Sequence, residues 1–498
     1  MSAAGTVTPT PVEAVRLADP YPFYARLVAE RPFAFDEALG AWVAADAAAV
    51  RAVLGAGALR VRPVAEPVPA GIAGTPAGEV FGELVRMTDG AAAARLKGVV
   101  AQALARADLG RAGALAARYT REALARGGDV PCEELMFGIP ARVVATLSGL
   151  TEGADREAAA AIGDFVRCIP ATATSADHRA AARAAVRLRE LLGPPLTSAP
   201  AASAQDTACG PGPAGAAPDA SPASGPTVPP GPTGGREAGA CGPADGSAPA
   251  PLRDSRPGTG GGTPGSGASA SDAAPAARPA AGRQGAAGTA AGLRAATGGG
   301  APGVCPGVHR GSVAGAPYAA GRANGLLREL VGAAERAGCT DPGPLLSNAI
   351  GFLSQTYDAT AGLIGNTLVA LARGADAPDT GALVREVVRY DAPVQNTRRF
   401  AAEPFTHAGS TVEPGQQVLV VLAAANRDPA VNPDPHALSP GRVNPAVFTF
   451  GAGAHRCPGG ELATALATAV VGELRRAGWS TTTTPAYRPL ANARIPLL

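Results

Sequence analysis

The chain has 498 residues and a mass of 48.9 kDa, light for its length because Gly 65, Pro 48 and many alanines supply small side chains. Lys+Arg 43 against Asp+Glu 41 leaves a formal charge of +2, which excludes a strong overall field drawing it to nucleic acid or an acidic membrane. A Gly-x-y period is absent, which excludes collagen, and no run of about 18 strongly apolar residues predicts a transmembrane helix. The opening MSAAGTVTPTPVEAVRLADP has neither the basic flank nor the apolar run of a signal peptide, so a cytoplasmic location is expected.

In chain order, residues 33–50 (FAFDEALGAWVAADAAAV) predict a short hairpin and then a helix, with Trp42 on the second strand. Residues 62–86 read as a loop of small side chains with one aromatic, Phe81, and no charged cluster that names a ligand. Apolar residues at helical spacing predict helices over 116–128, 155–169 and 178–192. Between 201 and 300, 81 of 100 residues are Gly, Pro, Ala, Ser or Thr, and none is aromatic. Such a segment has too little apolar surface to offset its ordering entropy, so 196–316 is expected to be a disordered insertion, either a tolerated loop expansion or a partner-binding arm. The remaining 1–195 and 317–498 then form two parts of one domain. After the insertion, RANGLLRELVGAAERAG, an apolar run over 345–372 and a stretch ending near Tyr390 predict three helices. Alternating strand patterns occupy 397–422, with a turn at Pro414-Gly415, and the last helix runs from just after Cys457 to about Ala477. Helix predominates over a minor β region.

The seven cysteines, Cys132, Cys168, Cys209, Cys241, Cys305, Cys339 and Cys457, form no C-x-x-C pair and no zinc-like spacing, which fits a reducing compartment. Cys457 is set apart by its surroundings, FGAGAHRCPGG over 450–460. Glycines let the backbone fold tightly around the sulfur, and the helix start behind it favours thiolate over thiol. Local physics leaves three roles open: a nucleophile with His455 as base, a metal ligand, or a structural cysteine in a turn.

This string also resembles the haem-ligand signature F-x-x-G-x-x-x-C-x-G of the cytochrome P450 family, in its tighter bacterial form F-G-x-G-x-H-x-C-x-G. The resemblance extends to Asp19-Pro-Tyr-Pro-Phe-Tyr24, to Gly40-Ala-Trp-Val43, to the E-x-x-R of Glu386 and Arg389, and to Asn426-Arg-Asp-Pro429 with Asn432-Pro-Asp-Pro435. It implies the mainly α P450 fold with a minor β region, and haem b (iron protoporphyrin IX) with Cys457 as the proximal thiolate on iron. Phe450, Gly451 and Gly459 would shape the cofactor-binding loop, while Glu386 and Arg389 would lock the core behind it. Arg399 and His455 match the family's propionate contacts. The third contact is eroded: Asp89-Gly-Ala-Ala-Ala-Ala-Arg95-Leu-Lys97 stands where relatives carry D-P-P-E-H-x-R-L-R, with Ala93 at the histidine position. Lys97 is the expected cation there, with Arg95 as alternative; a lysine pairs as a point charge, not as a fork.

Relatives carry (A/G)-G-x-(D/E)-T-T on the helix over the haem. Here the corresponding residues are Gln355-Thr356-Tyr357-Asp358-Ala359-Thr360, so the acid is kept as Asp358 and the relay threonine is Ala359. Alanine has no hydroxyl with which to orient water. Thr356, three residues earlier on nearly the same face, is the favoured replacement, with Thr360 or a substrate hydroxyl as alternatives. The resemblance implies a monomeric haem-thiolate oxidase of a small or medium metabolite, in specialised metabolism. Its electrons would come from NAD(P)H through a separate ferredoxin and ferredoxin reductase. Non-hydroxylating oxidative coupling or group transfer, and a haem-binding scaffold that recruits a partner, are the alternatives.

Overall fold

The computed structural model describes residues 9–127, 130–197, 325–375 and 377–498. The disordered insertion expected over 196–316 therefore lies outside the described residues, apart from its first two positions. Two short helical segments, α1 (Pro11–Ala14) and α2 (Tyr21–Glu30), lead into the hairpin β1 (Phe33–Asp36) and β2 (Ala41–Ala44). There follow α3 (Ala47–Gly55), β3 (Leu59–Arg60), α4 (Pro76–Glu83), α5 (Ala91–Ala105), α6 (Leu109–Ala125) and a π-helical turn, Glu134–Gly138, that runs into α7 (Ile139–Leu147). Helices α8 (Ala154–Val166) and α9 (Ser175–Thr197) complete the first part of the chain. The second part holds α10 (Leu326–Arg336), α11 (Pro342–Ala372), α12 (Thr380–Tyr390), strands β4 (Thr397–Ala401), β5 (Phe405–His407), β6 (Ser410–Val412) and β7 (Gln417–Val420), then α13 (Leu422–Ala425) and α14 (Gly460–Arg476).

Side-chain caps explain many of the starts. Asp46, Asp108, Asp341 and Asp379 each accept an amide of the first turn of the helix they precede. Residues 62–86 are not all loop as expected: Thr75 caps and Pro76 opens α4, and this pairing supplies a start signal that the small side chains obscured. The sheet has the order β1-β2-β7-β4-β3, with β2 parallel to β7 and the other neighbours antiparallel. An early hairpin is thus paired to a strand some 375 residues later, and the Trp42 Nε1–H donates to Gln416 Oε1 at 2.9 Å.

Helix α11 is the axis of the core. It packs against α4, α7, α8, α9, α12 and α14, and nearly all of 345–354 and 360–369 is buried. Residues 355–359 between them are only half-buried, so one section of an otherwise enclosed helix borders open space. Asn366 anchors the far end by donating to the carbonyls of Asp391 (2.8 Å) and Arg494 (3.2 Å). Arg494, fully buried, pairs with Asp391 at 2.9 Å and donates to the carbonyls of Val15, Leu17 and Ala18. A buried guanidinium is tolerable when its donors are satisfied in this way.

Candidate functional site around Cys457

The loop over 450–460 is held by its own backbone. The Gly451 amide donates to the Phe448 carbonyl and the Cys457 amide to the Phe450 carbonyl, both at 2.7 Å. Gly453 has φ +64°, and a Cβ there would lie 2.6 Å from the Leu54 carbonyl oxygen at the end of α3. Only glycine fits that approach. Gly460 opens α14, and a Cβ on it would meet the Phe450 ring at 3.2 Å. The Cys457 side chain is left exposed on one side, with protein around the rest. Burial pushes its thiol pKa up, while the Gly459 amide and the charges of Lys97, Arg86 and Arg456 pull the other way. Burial thus opposes the thiolate that the helix start is expected to favour, and a metal ion replacing the proton would stabilise it.

Behind the loop lies the pair Glu386–Arg389. An i,i+3 pair of opposite charges ordinarily faces solvent, but these are 3% and 0% exposed. Arg389 donates to both carboxylate oxygens (2.6 and 3.1 Å) and to the carbonyls of Asn426 (3.3 Å), Pro435 (2.8 Å) and Ala437 (3.0 Å). Glu386 also accepts the Ser439 amide at 3.0 Å. The pair thus fastens the irregular segment 426–439 to α12 just before the chain enters the cysteine loop.

Several cations gather on the open side of Cys457. Arg399, on β4, is 6% exposed and donates only to the Arg398 carbonyl (2.8 Å) and Thr397 Oγ1 (3.5 Å). Lys97 is half-buried; burial brings its pKa down to about 8, the Cys457 sulfur opposing and Arg399 reinforcing the shift. Arg95 is exposed on the same helix, so Lys97 is the cation that faces the sulfur. His455 Nε2 lies 3.0 Å from Asp89 Oδ1, and its buried Nδ1 has no partner. Asp89 also accepts the Val61 amide at 3.0 Å; burial raises its pKa, but these hydrogen bonds outweigh it and hold the carboxyl low. Sequence reasoning named His455 and passed over Asp89, although Asp89 opens the motif that it quoted.

Asp358, half-buried on α11, is in electrostatic reach of Arg86, as Cys457 is. Burial raises its pKa, with Arg488 and Arg86 opposing. The Thr356 hydroxyl donates to the Phe352 carbonyl at 2.7 Å, whereas Thr360 is fully buried with no partner for its hydroxyl. The Tyr357 ring packs against that of Phe137, with centroids 5.0 Å apart and planes tilted by 47°.

The family model described as Cytochrome P450 matches residues 373–474, a span that holds α12, the Glu386–Arg389 lock, the cysteine loop and most of α14. Residues 373–474 thus match the cytochrome P450 family, and the fold is the P450 fold. Over 127 residues the chain is 38% identical to the cytochrome P450 133B2 of Xylella fastidiosa, covering 24% of this chain and 32% of that protein. Over 139 residues it is 36% identical to the vitamin D(3) 25-hydroxylase of Pseudonocardia autotrophica, covering 26% and 34%. The sequence matches therefore span about a third of the length of these relatives. The fold likeness is wider. The CalO2 crystal structure superposes with a TM-score of 0.64 at 20% identity, covering 98% of this chain and 96% of that one. P450BioI, solved with an acyl carrier protein ligated to hexadec-9Z-enoic acid, gives 0.62 at 17% identity, covering 98% and 97%.

The cofactor of the P450 family is haem b, and the residues present fit it. Buried Arg399 and half-buried Lys97 repel one another, and His455 has a buried ring nitrogen without a partner. Asp89 is the one carboxylate among them. Such a set is completed by a group carrying two carboxylates, and the accessible sulfur of Cys457 suits its iron. Arg399, Lys97 and His455 would hold the propionates and Cys457 the metal.

Proposed function

We propose that this chain is a haem-thiolate monooxygenase acting on a small or medium metabolite, in specialised metabolism. The observation that carries the reading is that Lys97 lies in electrostatic reach of both Cys457 and Arg399, and Arg86 of both Cys457 and Asp358 on α11. When bound, haem b supplies the activation of dioxygen with externally delivered electrons. The protein's own contribution is to hold the sulfur on a rigid glycine loop, to neutralise the propionates and to manage protons. Burial raises the pKa of Asp358, which suits it to take and release a proton near the reacting centre. Thr356 lies on the half-buried stretch of α11, and its hydroxyl oxygen keeps lone pairs free, while Thr360 is enclosed; this favours Thr356 in the relay.

The chain carries no flavin or iron–sulfur motif, which supports a separate ferredoxin and ferredoxin reductase as electron donors from NAD(P)H. Among the described residues no helix is long and apolar enough to cross a membrane; a cytoplasmic location and action as a monomer are part of the proposal. Thr197 closes α9 and Gly325 caps the start of α10 within one compact unit, which supports 1–195 and 317–498 as two parts of one domain around an insertion.

Turnover with ferredoxin, reductase and NAD(P)H tests the reading: a product heavier by one oxygen atom is expected, and no turnover with any electron donor favours a haem-binding scaffold. Thr356→Val should lower product per NAD(P)H consumed and raise peroxide release, by up to roughly 10²-fold, and Asp358→Asn should slow turnover. Ala359 favours a second reading, oxidative coupling or group transfer without oxygen insertion. That reading prevails if both variants couple normally while Ala359→Thr changes the product.

A further inference from the structure

The segment 84–89 runs from α4 to α5 and is fastened at both ends. At its start the Val85 amide donates to Asn348 Oδ1 on α11 at 3.1 Å, and Asn348 Nδ2 donates to the Glu83 carbonyl at 2.9 Å. At its end Asp89 holds His455 of the cysteine loop. The segment is thus a strap between the oxygen-side helix and the cysteine loop, and Arg86 sits near its middle. The Arg86 Nε–H is buried and has no partner, and among the described residues the side chain makes no hydrogen bond or ion pair. The other charged side chains between 62 and 86 are all engaged. Arg62 donates to the Glu66 carbonyl and lies over the Phe81 ring, and Glu66 accepts the Ala70 amide. Glu79 pairs with Arg189 and Glu83 accepts from Ser347. Arg86 alone lacks a polar partner.

Arg86 is half-buried as a residue, and its enclosed Nε–H without a partner is costly unless a ligand completes it. Its planar fork matches a carboxylate with two parallel hydrogen bonds. Arg399, Lys97 and His455 are the cations proposed for the propionates, and Asp358 on α11 is in electrostatic reach of Arg86 but outside ion-pair distance. We infer that Arg86 anchors a carboxylate of the small-molecule substrate, so that this enzyme takes an anionic, carboxylic-acid substrate over the haem. The inference rests on the monooxygenase reading and narrows its substrate class. Burial lowers the Arg86 pKa, with Asp358 and Cys457 opposing, so the cation persists at neutral pH.

The test uses the haem-loaded full chain and two probe pairs, dodecanoate with methyl dodecanoate and 4-phenylbutyrate with its methyl ester. Binding is read by equilibrium dialysis and by the ligand-induced Soret shift. In the wild type at least one acid should bind roughly tenfold or more tighter than its ester. Arg86→Gln should erase that preference and leave ester affinity unchanged, and Arg86→Lys should restore part of it. The inference is overturned if no acid is preferred in the wild type, or if Arg86→Gln leaves the preference intact. It is also overturned if Arg86→Gln leaves the ratio unchanged and speeds haem transfer to apomyoglobin, because Arg86 then serves a propionate. The reduced carbon monoxide spectrum of the same wild-type sample reports separately on the haem-thiolate reading.

Discussion

Cys457→Ala is expected to abolish the red-shifted Soret band that thiolate-bound haem shows when reduced under carbon monoxide. The wild type should contain about one haem per chain and show that band in full. The variant should keep the far-UV circular dichroism of a mainly helical protein, because the loop is not shaped by the sulfur. It is held by the Cys457 amide on the Phe450 carbonyl, by Gly453 against Leu54 and by the Phe450 ring over Gly460, none of which the substitution removes. Arg399 and Lys97 remain in place to attract propionates, so some haem can still associate, with a spectrum that lacks the thiolate. An unchanged band in Cys457→Ala would mean that another residue ligates the iron. An unfolded variant would mean that the sulfur packs the loop, and Cys457→Ser then separates shape from ligation.

Much of this was legible in the sequence because it depends on local pattern. The cysteine loop is a contiguous string whose glycines answer to nearby steric demands, and the hairpin around Trp42 and the helices after 326 follow hydrophobic periodicity. Helix α4 was missed because Thr75-Pro76 is followed by alanine and glycine, which carry little periodicity. Arg86 was missed for a different reason. Nothing in VRMTD distinguishes a half-buried, unpartnered arginine from a surface one; the distinction arises when Asn348, 263 positions away from Val85, and His455 tie down the two ends of its segment. The depth of Glu386 and Arg389 was equally hidden, since E-x-x-R spacing fits a solvated helix pair as well as a buried lock.

Arg389→Ala should destabilise the protein more than any other substitution considered, short of those that disrupt the main helices. Arg389 is fully buried and satisfies Glu386 together with three carbonyls of the segment leading to the cysteine loop. Removing one partner of a buried ion pair leaves an uncompensated charge and costs about 3–5 kcal/mol. Spread over the roughly 360 described residues, at ~2.1 cal/mol/K per residue of unfolding entropy, that cost lowers Tm by roughly 4–7 °C. The loss should not be confined to stability. With the carbonyls of Asn426, Pro435 and Ala437 unpaired, the segment before the loop loosens, so haem retention should fall together with Tm. Glu386→Gln is the informative companion: it removes the charge but keeps an acceptor for Arg389, so it should destabilise by less than Arg389→Ala. Arg442, 3.5 Å from Glu386, supplies only a weak substitute when Arg389 is gone. Thermal unfolding followed at the Soret band and by far-UV circular dichroism checks both effects. If Arg389→Ala melts within 1 °C of the wild type and keeps its haem, the buried pair is dispensable, and the cysteine loop is held by its own glycine turns alone.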